Sequence, residues 1–163
     1  MKKLMLLTAA ALLALTAACA AVPGEDGGGL RLYFASQEDS GPALVPVEYS
    51  GPENPGVRQL MSALLAGPEE TELSASVPGA VALRSYRLEE GVLYLDLSEN
   101  YGGLTGMELT LADYAITLTM CQLDGVEGVC ITASGQPLNY RSHQILSPEE
   151  ALLLADASAE EES

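Results

Sequence analysis

Five segments of the chain have the apolar and polar pattern of β-strands, with side chains alternating between two faces. The predicted strands are residues 30–35, 43–49, 81–88, 92–97 and 126–133. Pro46 falls inside the second of them. Because proline has no N–H to donate to a sheet, we expect that strand to lie at an edge, where simple strand addition is disfavoured, or to carry a bulge. Glu89-Glu90-Gly91 joins the third and fourth strands and predicts a tight hairpin.

In other segments the apolar residues recur at helical spacing instead. Residues 57–65 carry an apolar face at helical spacing, between Pro55 as a start signal and Gly67-Pro68 as a stop signal. Residues 108–121 are apolar on most sides, so this second helix should be the more deeply buried. A short helix over residues 148–155 is predicted because Ser147, Pro148 and Glu150 have the order of a helix start.

The order of these elements predicts the fold class. Strand-strand-helix-strand-strand-helix-strand places helices between pairs of strands, and such helices gather on one face of the sheet. We predict a two-layer α+β sandwich, with a mixed sheet of about five strands and two helices on one face. With no Trp and a single Phe, Phe34, the core should be largely aliphatic.

The first residues have the pattern of an export signal. Two lysines precede an uncharged apolar run, residues 4–15, which is too short to span a bilayer comfortably. Thr16-Ala17-Ala18-Cys19 then resembles a bacterial lipobox, in which the cysteine thiol receives a diacylglycerol, although Thr16 stands where leucine is usual. We predict cleavage before Cys19 and lipid attached to that residue. The alternative is an ordinary signal peptide that ends in a chance cysteine.

The chain therefore divides into four parts. Residues 1–18 are the predicted signal peptide, and residues 19–29 are a lipidated, glycine-containing tether. Residues 30–138 form one domain. Residues 139–163 are a C-terminal extension with the short helix and an acidic tail. This organisation predicts a location on the extracytoplasmic face of the cell membrane, held there by lipid.

The net charge of the side chains limits the classes of partner that we expect. Without the two signal-peptide lysines, five arginines remain against 23 acidic residues, so the side chains carry a net charge of −18. A chain of this charge repels phosphate backbones, which excludes nucleic acid as an expected partner.

Residues that could carry chemistry are few. His143 is the single histidine, no Gly-x-Ser-x-Gly motif occurs, and we interpret His143 as a solvated loop residue. Asp96, Glu99 and Asn100 follow a strand but do not match an EF-hand loop, so we interpret them as turn residues rather than calcium ligands. We expect no catalysis, no metal and no cofactor.

Cys121 and Cys130 allow two interpretations. An exported chain can form a disulfide, and a bridge closing this short loop would add roughly 2–3 kcal/mol of stability. Alternatively, both are buried free thiols that behave as small hydrophobic residues, which the pattern slightly favours.

Several motifs together are similar to those of the GerMN domain family of spore germination and sporulation proteins. They are Leu32-Tyr33-Phe34, Leu44-Val45-Pro46-Val47, Ala63-Leu64-Leu65-Ala66-Gly67-Pro68, Ser76-Val77-Pro78, Gly91-Val92-Leu93-Tyr94-Leu95-Asp96-Leu97-Ser98, Leu118-Thr119 and Gly128-Val129. The resemblance implies a non-enzymatic envelope module, common on lipoproteins and related to the ring-building folds of secretion and sporulation channels.

Two functional hypotheses follow. The favoured one is a membrane-anchored domain that contacts envelope or sporulation proteins. The other is a small-ligand-binding sensor or transport-accessory lipoprotein, which would require a concave apolar pocket with convergent polar groups.

Overall fold

The computed structural model describes residues 29–36, 43–139, 141 and 143–151. Cys19, the predicted signal peptide, the tether up to residue 28 and the acidic tail lie outside these residues. The strands are β1 (Arg31–Ser36), β2 (Leu44–Glu48), β3 (Leu73–Ser74), β4 (Leu83–Glu89), β5 (Val92–Leu97), β6 (Gly128–Ala133), β7 (Gln136–Pro137) and β8 (Ile145–Leu146). The helices are α1 (Val57–Ala66) and α2 (Gly106–Met120), and a 3₁₀ helix covers Glu99–Gly103.

The described strands form two sheets. β4, β5, β6 and β7 follow one another in a mixed sheet, and β8 also pairs with β6. Within this sheet β5 and β6 are parallel, and the other pairs are antiparallel. The strand order β2-β1-β3 makes a second, antiparallel sheet. The predicted α+β fold with a mixed sheet is confirmed. The short strands β3, β7 and β8 were not predicted, because two residues are too few to show a period.

The core lies among the mixed sheet, the two helices and β1, whose Leu32 and Phe34 are buried in the same cluster. Along β5, Leu93, Leu95 and Leu97 are buried and alternate with partly exposed residues, so one face of the strand points inward. Three of the ten residues of α1 are buried, against eight of the fifteen residues of α2. The prediction that the second helix is the more deeply buried is therefore confirmed.

Two local predictions also agree with the structure. Glu90 and Gly91 have φ angles of 50° and 82°, which is the turn geometry that matches the twist of a two-residue β-hairpin. This turn joins β4 to β5. Pro46 lies in β2, which is an edge strand of the smaller sheet, as its lack of an N–H predicted.

The described part of the C-terminal extension packs on the domain. β8 pairs with β6 through Leu146, whose side chain is buried, and Ala151 is also buried. Residues 148–151 are helical, and the backbone N–H of Ser147 donates to Glu150 Oε2 at 3.1 Å, so the predicted helix start is present. The rest of that predicted helix lies outside the described residues. Within the described part of the chain, no helix is long and apolar enough to cross a bilayer.

Candidate functional site

A polar network lies inside the domain, where three separate parts of the chain meet. Tyr101 comes from the 3₁₀ helix, Asp113 from α2 and Arg141 from the C-terminal extension. The Tyr101 hydroxyl donates to Asp113 Oδ1 at 2.6 Å. Arg141 donates through Nε to Asp113 Oδ2 at 2.8 Å and through Nη2 to Oδ1, while its Nη1 donates to the Ile131 carbonyl at 3.0 Å. The Arg141 and Asp113 side chains are only 6% and 7% exposed.

The electrostatics of this network favour a structural role. Burial raises the pKa of the Tyr101 hydroxyl well above its ordinary value of 10, and the negative charge of Asp113 raises it further. Tyr101 therefore stays protonated and remains a hydrogen-bond donor. Both oxygens of Asp113 accept from groups inside the network, which secures the extension to α2 and β6. The sequence offers one signal for this network, because Asp113 lies among apolar residues in the middle of α2.

Two of the three residues considered as calcium ligands, Asp96 and Asn100, have other partners. Asp96 Oδ1 accepts from Thr132 Oγ1 at 2.9 Å and from the Gly135 N–H at 2.6 Å, and Oδ2 lies 3.3 Å from Arg84 Nη1. Asn100 donates to the Ala80 carbonyl at 2.7 Å. These side chains hold turns and strands together. The described residues contain no group of three or more His, Cys, Asp or Glu side chains that could hold a metal ion.

His143 lies on the surface of the C-terminal extension. Its side chain is half exposed, and Nε2 lies 2.8 Å from Glu150 Oε1. This contact links the loop to the start of the short C-terminal helix, so His143 takes part in local packing of the extension.

Cys121 and Cys130 are free thiols in the structure. Cys121 follows α2 and packs against the core, and burial raises its pKa to about 11. Cys130 alternates along β6 with the buried Val129 and Ile131, so its side chain points to the opposite face of the sheet. Burial also raises the pKa of Cys130, while Arg141 and Arg87 oppose that shift.

A shallow groove lies where β5 and β6 end. Its volume is about 700 Å³, within the range of small-ligand pockets. Leu104, Ala133 and Leu138 form a buried floor, and the polar side chains at the rim, such as Gln136 and Asn139, are exposed. The groove thus lacks the buried, convergent polar groups that fix a small ligand in place.

The surface around β4 differs from the rest of the mixed sheet. Six of its seven residues are exposed, and two of them, Tyr86 and Leu88, are large apolar residues with 44% and 48% exposure. The guanidinium of Arg87 lies 4.1 Å from the Tyr94 ring centre, and that of Arg58 lies 5.9 Å from the Tyr86 ring centre. An exposed strand with aromatic and arginine side chains has the composition of a protein-binding surface.

Fold and surface together define a small α+β domain with an internal polar network of Tyr101, Asp113 and Arg141. A family model described as sporulation and spore germination, the Germane family, matches residues 31–139, and the chain belongs to this family. The resemblance to GerMN domains is therefore confirmed.

Solved structures with this fold include GerMN domains from Bacillus subtilis. The first GerMN domain of the sporulation protein GerM aligns with a TM-score of 0.62 at 15% identity, covering 74% of this chain and 98% of that one. The tandem GerMN domains of GerM align with a TM-score of 0.54 at 19% identity, covering 73% of this chain. This chain spans 44% of the tandem structure. No curated protein sequence matches the chain significantly.

Proposed function

We propose that this protein is a lipid-anchored, non-enzymatic member of its family, whose domain binds other proteins in the cell envelope during sporulation or germination. The observation that carries this proposal is the family match over residues 31–139, which covers most of the described core. The family description concerns sporulation and spore germination. The anchor is inferred from the signal pattern that ends at Cys19.

The arrangement of polar groups supports a binding role. Tyr101, Asp113 and Arg141 bond to one another in the interior, and Asp96 is occupied by backbone and side-chain donors. Catalysis would instead need a nucleophile or base directed at a substrate pocket. The exposed surface around β4 offers what a binding module needs, which is a rigid sheet edge with aromatic and arginine side chains.

A crosslinking experiment in native cells tests the proposal. The full chain, carrying a C-terminal tag, is crosslinked and recovered from growing and from sporulating cells, alongside the variant Cys19→Ser. We expect the parent chain to fractionate with membranes and to recover specific envelope proteins in sporulating cells. Cys19→Ser should leave the membrane fraction, because two or more acyl chains are needed for stable attachment.

Two results would contradict the proposal. If Cys19→Ser stays on the membrane as the parent does, lipid on Cys19 is not the anchor. If the parent is abundant in growing cells and recovers the same proteins in both conditions, the sporulation role is wrong and a general envelope role replaces it.

A further inference from the structure

We propose that the free edge of β4 binds an extended segment of a partner protein in which acidic and apolar side chains alternate. This inference rests on the proposed protein-binding role and names its surface. Within the described residues, β4 hydrogen-bonds to β5 on one side only. A strand with one unpaired side presents N–H and C=O groups on which another strand can form.

The hairpin turn determines which backbone groups are available. Glu89 and Val92 flank the two-residue turn, so this pair exchanges both of its hydrogen bonds within the hairpin. Bonded and non-bonded pairs alternate along antiparallel strands. The backbone groups of Leu88 and Tyr86 therefore point away from β5, towards the free edge.

This edge has some of the features that keep edge strands from pairing, namely three charged side chains and one register shift, but it lacks the others. It has seven residues and contains neither proline nor lysine. Its one irregularity is a register shift between Leu83 and Ser85, near the start of the strand. The part from Ser85 to Glu89 pairs regularly with β5 and is long enough to accept another strand.

The side chains of β4 determine which alternation of residue types a partner strand needs. Tyr86 and Leu88 lie opposite the inward-facing Leu95 and Leu93, so their exposed apolar surface continues the core face of the sheet. Arg87 lies opposite Tyr94 on the outer face. A strand added here would place apolar side chains beside Tyr86 and Leu88, and its alternate side chains beside arginine.

The arginines near this edge favour acidic residues at those alternate positions of the partner strand. Arg84 and Arg87 have side-chain exposures of 52% and 59%, and they pair with Asp96 and Glu89 on the surface. The Arg87–Glu89 pair is exposed on both sides and therefore weak, and Arg84 is itself half exposed, so both arginines can reach a new carboxylate. Arg58 lies over the Tyr86 ring, 5.9 Å from its centre, and adds positive charge near the same edge. These are three of the five arginines outside the signal peptide, in a chain that is otherwise strongly acidic.

A second copy of the chain fits this edge less well. Antiparallel self-pairing centred on Arg87 would place the two Arg87 side chains directly opposite, and pairing centred on Tyr86 would place them diagonally, where like charges are destabilising. Pairing centred on Leu88 would instead place each Arg87 opposite Glu89 of the other copy, but it brings no carboxylate opposite Arg84.

Peptide binding tests the proposal. The full chain, in a non-ionic detergent, is titrated into a fluorescent peptide of alternating glutamate and valine, about nine residues long. A peptide of alternating lysine and valine serves as the control. Fluorescence anisotropy measures affinity, and backbone amide NMR shifts locate the contact. We expect the glutamate peptide to bind and to shift the amides of Tyr86 and Leu88, and the lysine peptide to bind at least about tenfold more weakly.

Variants of the chain separate the effect of backbone pairing from that of charge. Leu88→Pro removes an N–H that points outward and should spare the bonds to β5, so the fold should persist while the affinity falls about tenfold or more. Leu88→Ala, which keeps that N–H, should lose less affinity. The double variant Arg84→Glu/Arg87→Glu should reverse the preference between the two peptides, whereas Arg31→Glu on β1 should not.

Other results would overturn the proposal. Equal binding of the glutamate peptide by the parent and by a folded Leu88→Pro variant would show that the β4 edge is not used, as would failure of the parent to bind it. A dimer that Leu88→Pro dissociates would make a second copy the occupant. Tighter peptide binding after truncation at Ala151 would make the chain's own acidic tail the occupant. If Leu88→Pro loses the peptide but recovers the same envelope proteins in cells, the binding role stands and this edge is not its surface.

Discussion

The two edges of the mixed sheet differ in whether further strands cover them. On one side, β7 and β8 pair with β6, and Arg141 from the extension bonds to the buried Asp113. On the other side, β4 has exposed side chains and a free edge within the described residues. The same chain therefore uses its C-terminal extension to close one edge and leaves the other open.

This difference separates groups that maintain the fold from groups available to a partner. Arg141 is buried and bonded to a carboxylate, whereas Arg84 and Arg87 are exposed and lie in weak surface pairs. An exposed edge strand carries a risk of unwanted pairing, and most proteins cover or blunt it. Because the opposite edge is covered, we expect a partner protein to bind at the uncovered edge of β4.

The largest effect should come from opening the closed edge. Arg141→Met removes both bonds to Asp113 and leaves a buried carboxylate with Tyr101 as its remaining side-chain donor. Breaking a buried ion pair in this way costs about 3–5 kcal/mol in the free energy of unfolding. Urea denaturation followed by circular dichroism measures the change.

Two further variants make this test specific. Arg58→Met changes an exposed arginine and should alter stability by less than about 0.5 kcal/mol. Asp113→Leu combined with Arg141→Met should recover much of the loss, because no buried charge then remains unpaired. If Arg141→Met is as stable as Arg58→Met, the extension does not close this edge.

A chemical comparison of the two cysteines should show the next largest effect. Burial raises the pKa of Cys121 to about 11 from an ordinary value of 9.0, so its reactive thiolate is about a hundredfold scarcer at neutral pH than that of an unshifted thiol. We expect iodoacetamide to label Cys121 more slowly than Cys130, and the Cys121 rate to rise steeply with pH. Peptide mapping by mass spectrometry measures both rates.

The same experiment addresses the disulfide. Without reductant, both thiols should be labelled in denaturant, since the structure has both as free thiols, with Cys121 packed against the core and Cys130 on the outward face of β6. Protection of both until a reductant is added would mean that Cys121 and Cys130 pair.

Local patterns predicted most of the fold. The alternation of Leu93, Leu95 and Leu97 identified β5, and Pro46 identified an edge strand, because each depends on neighbouring residues alone. The division into two sheets depends on which strands meet in space, and no local pattern contains that information. The closure by β8 was missed for the same reason.

The candidate sites were harder to predict than the fold. Asp96 was noticed because it stands beside Glu99 and Asn100 in the sequence, yet its partners Thr132 and Gly135 are distant in the chain. The Tyr101, Asp113 and Arg141 network joins three separate elements. An internal aspartate in an apolar helix indicates that a buried partner exists, but the sequence does not show which of five arginines it is.

Tyr101→Phe should have a smaller effect than Arg141→Met, because Asp113 keeps its arginine. Loss of one hydrogen bond to a buried charged group costs about 1–3 kcal/mol, measured by urea denaturation. The pH dependence gives a second test. Since folding raises the pKa of Tyr101 above 10, its contribution is present below that pH and is lost as the pH rises further. The parent should lose more stability than Tyr101→Phe above pH 10; equal losses would contradict this role.

The smallest effect should come from the open edge. Tyr86→Thr and Leu88→Thr each replace a side chain that is about half exposed, and threonine suits a strand, so each should change the free energy of unfolding by less than about 0.5 kcal/mol. Leu95→Thr, on the adjacent strand and fully buried, is the matched control and should cost several times more. A loss above about 1 kcal/mol at Tyr86 or Leu88 would mean that these side chains stabilise the fold. Near-neutral results would show that the protein exposes apolar side chains on this edge without needing them for stability, which is the condition for a surface kept for a partner.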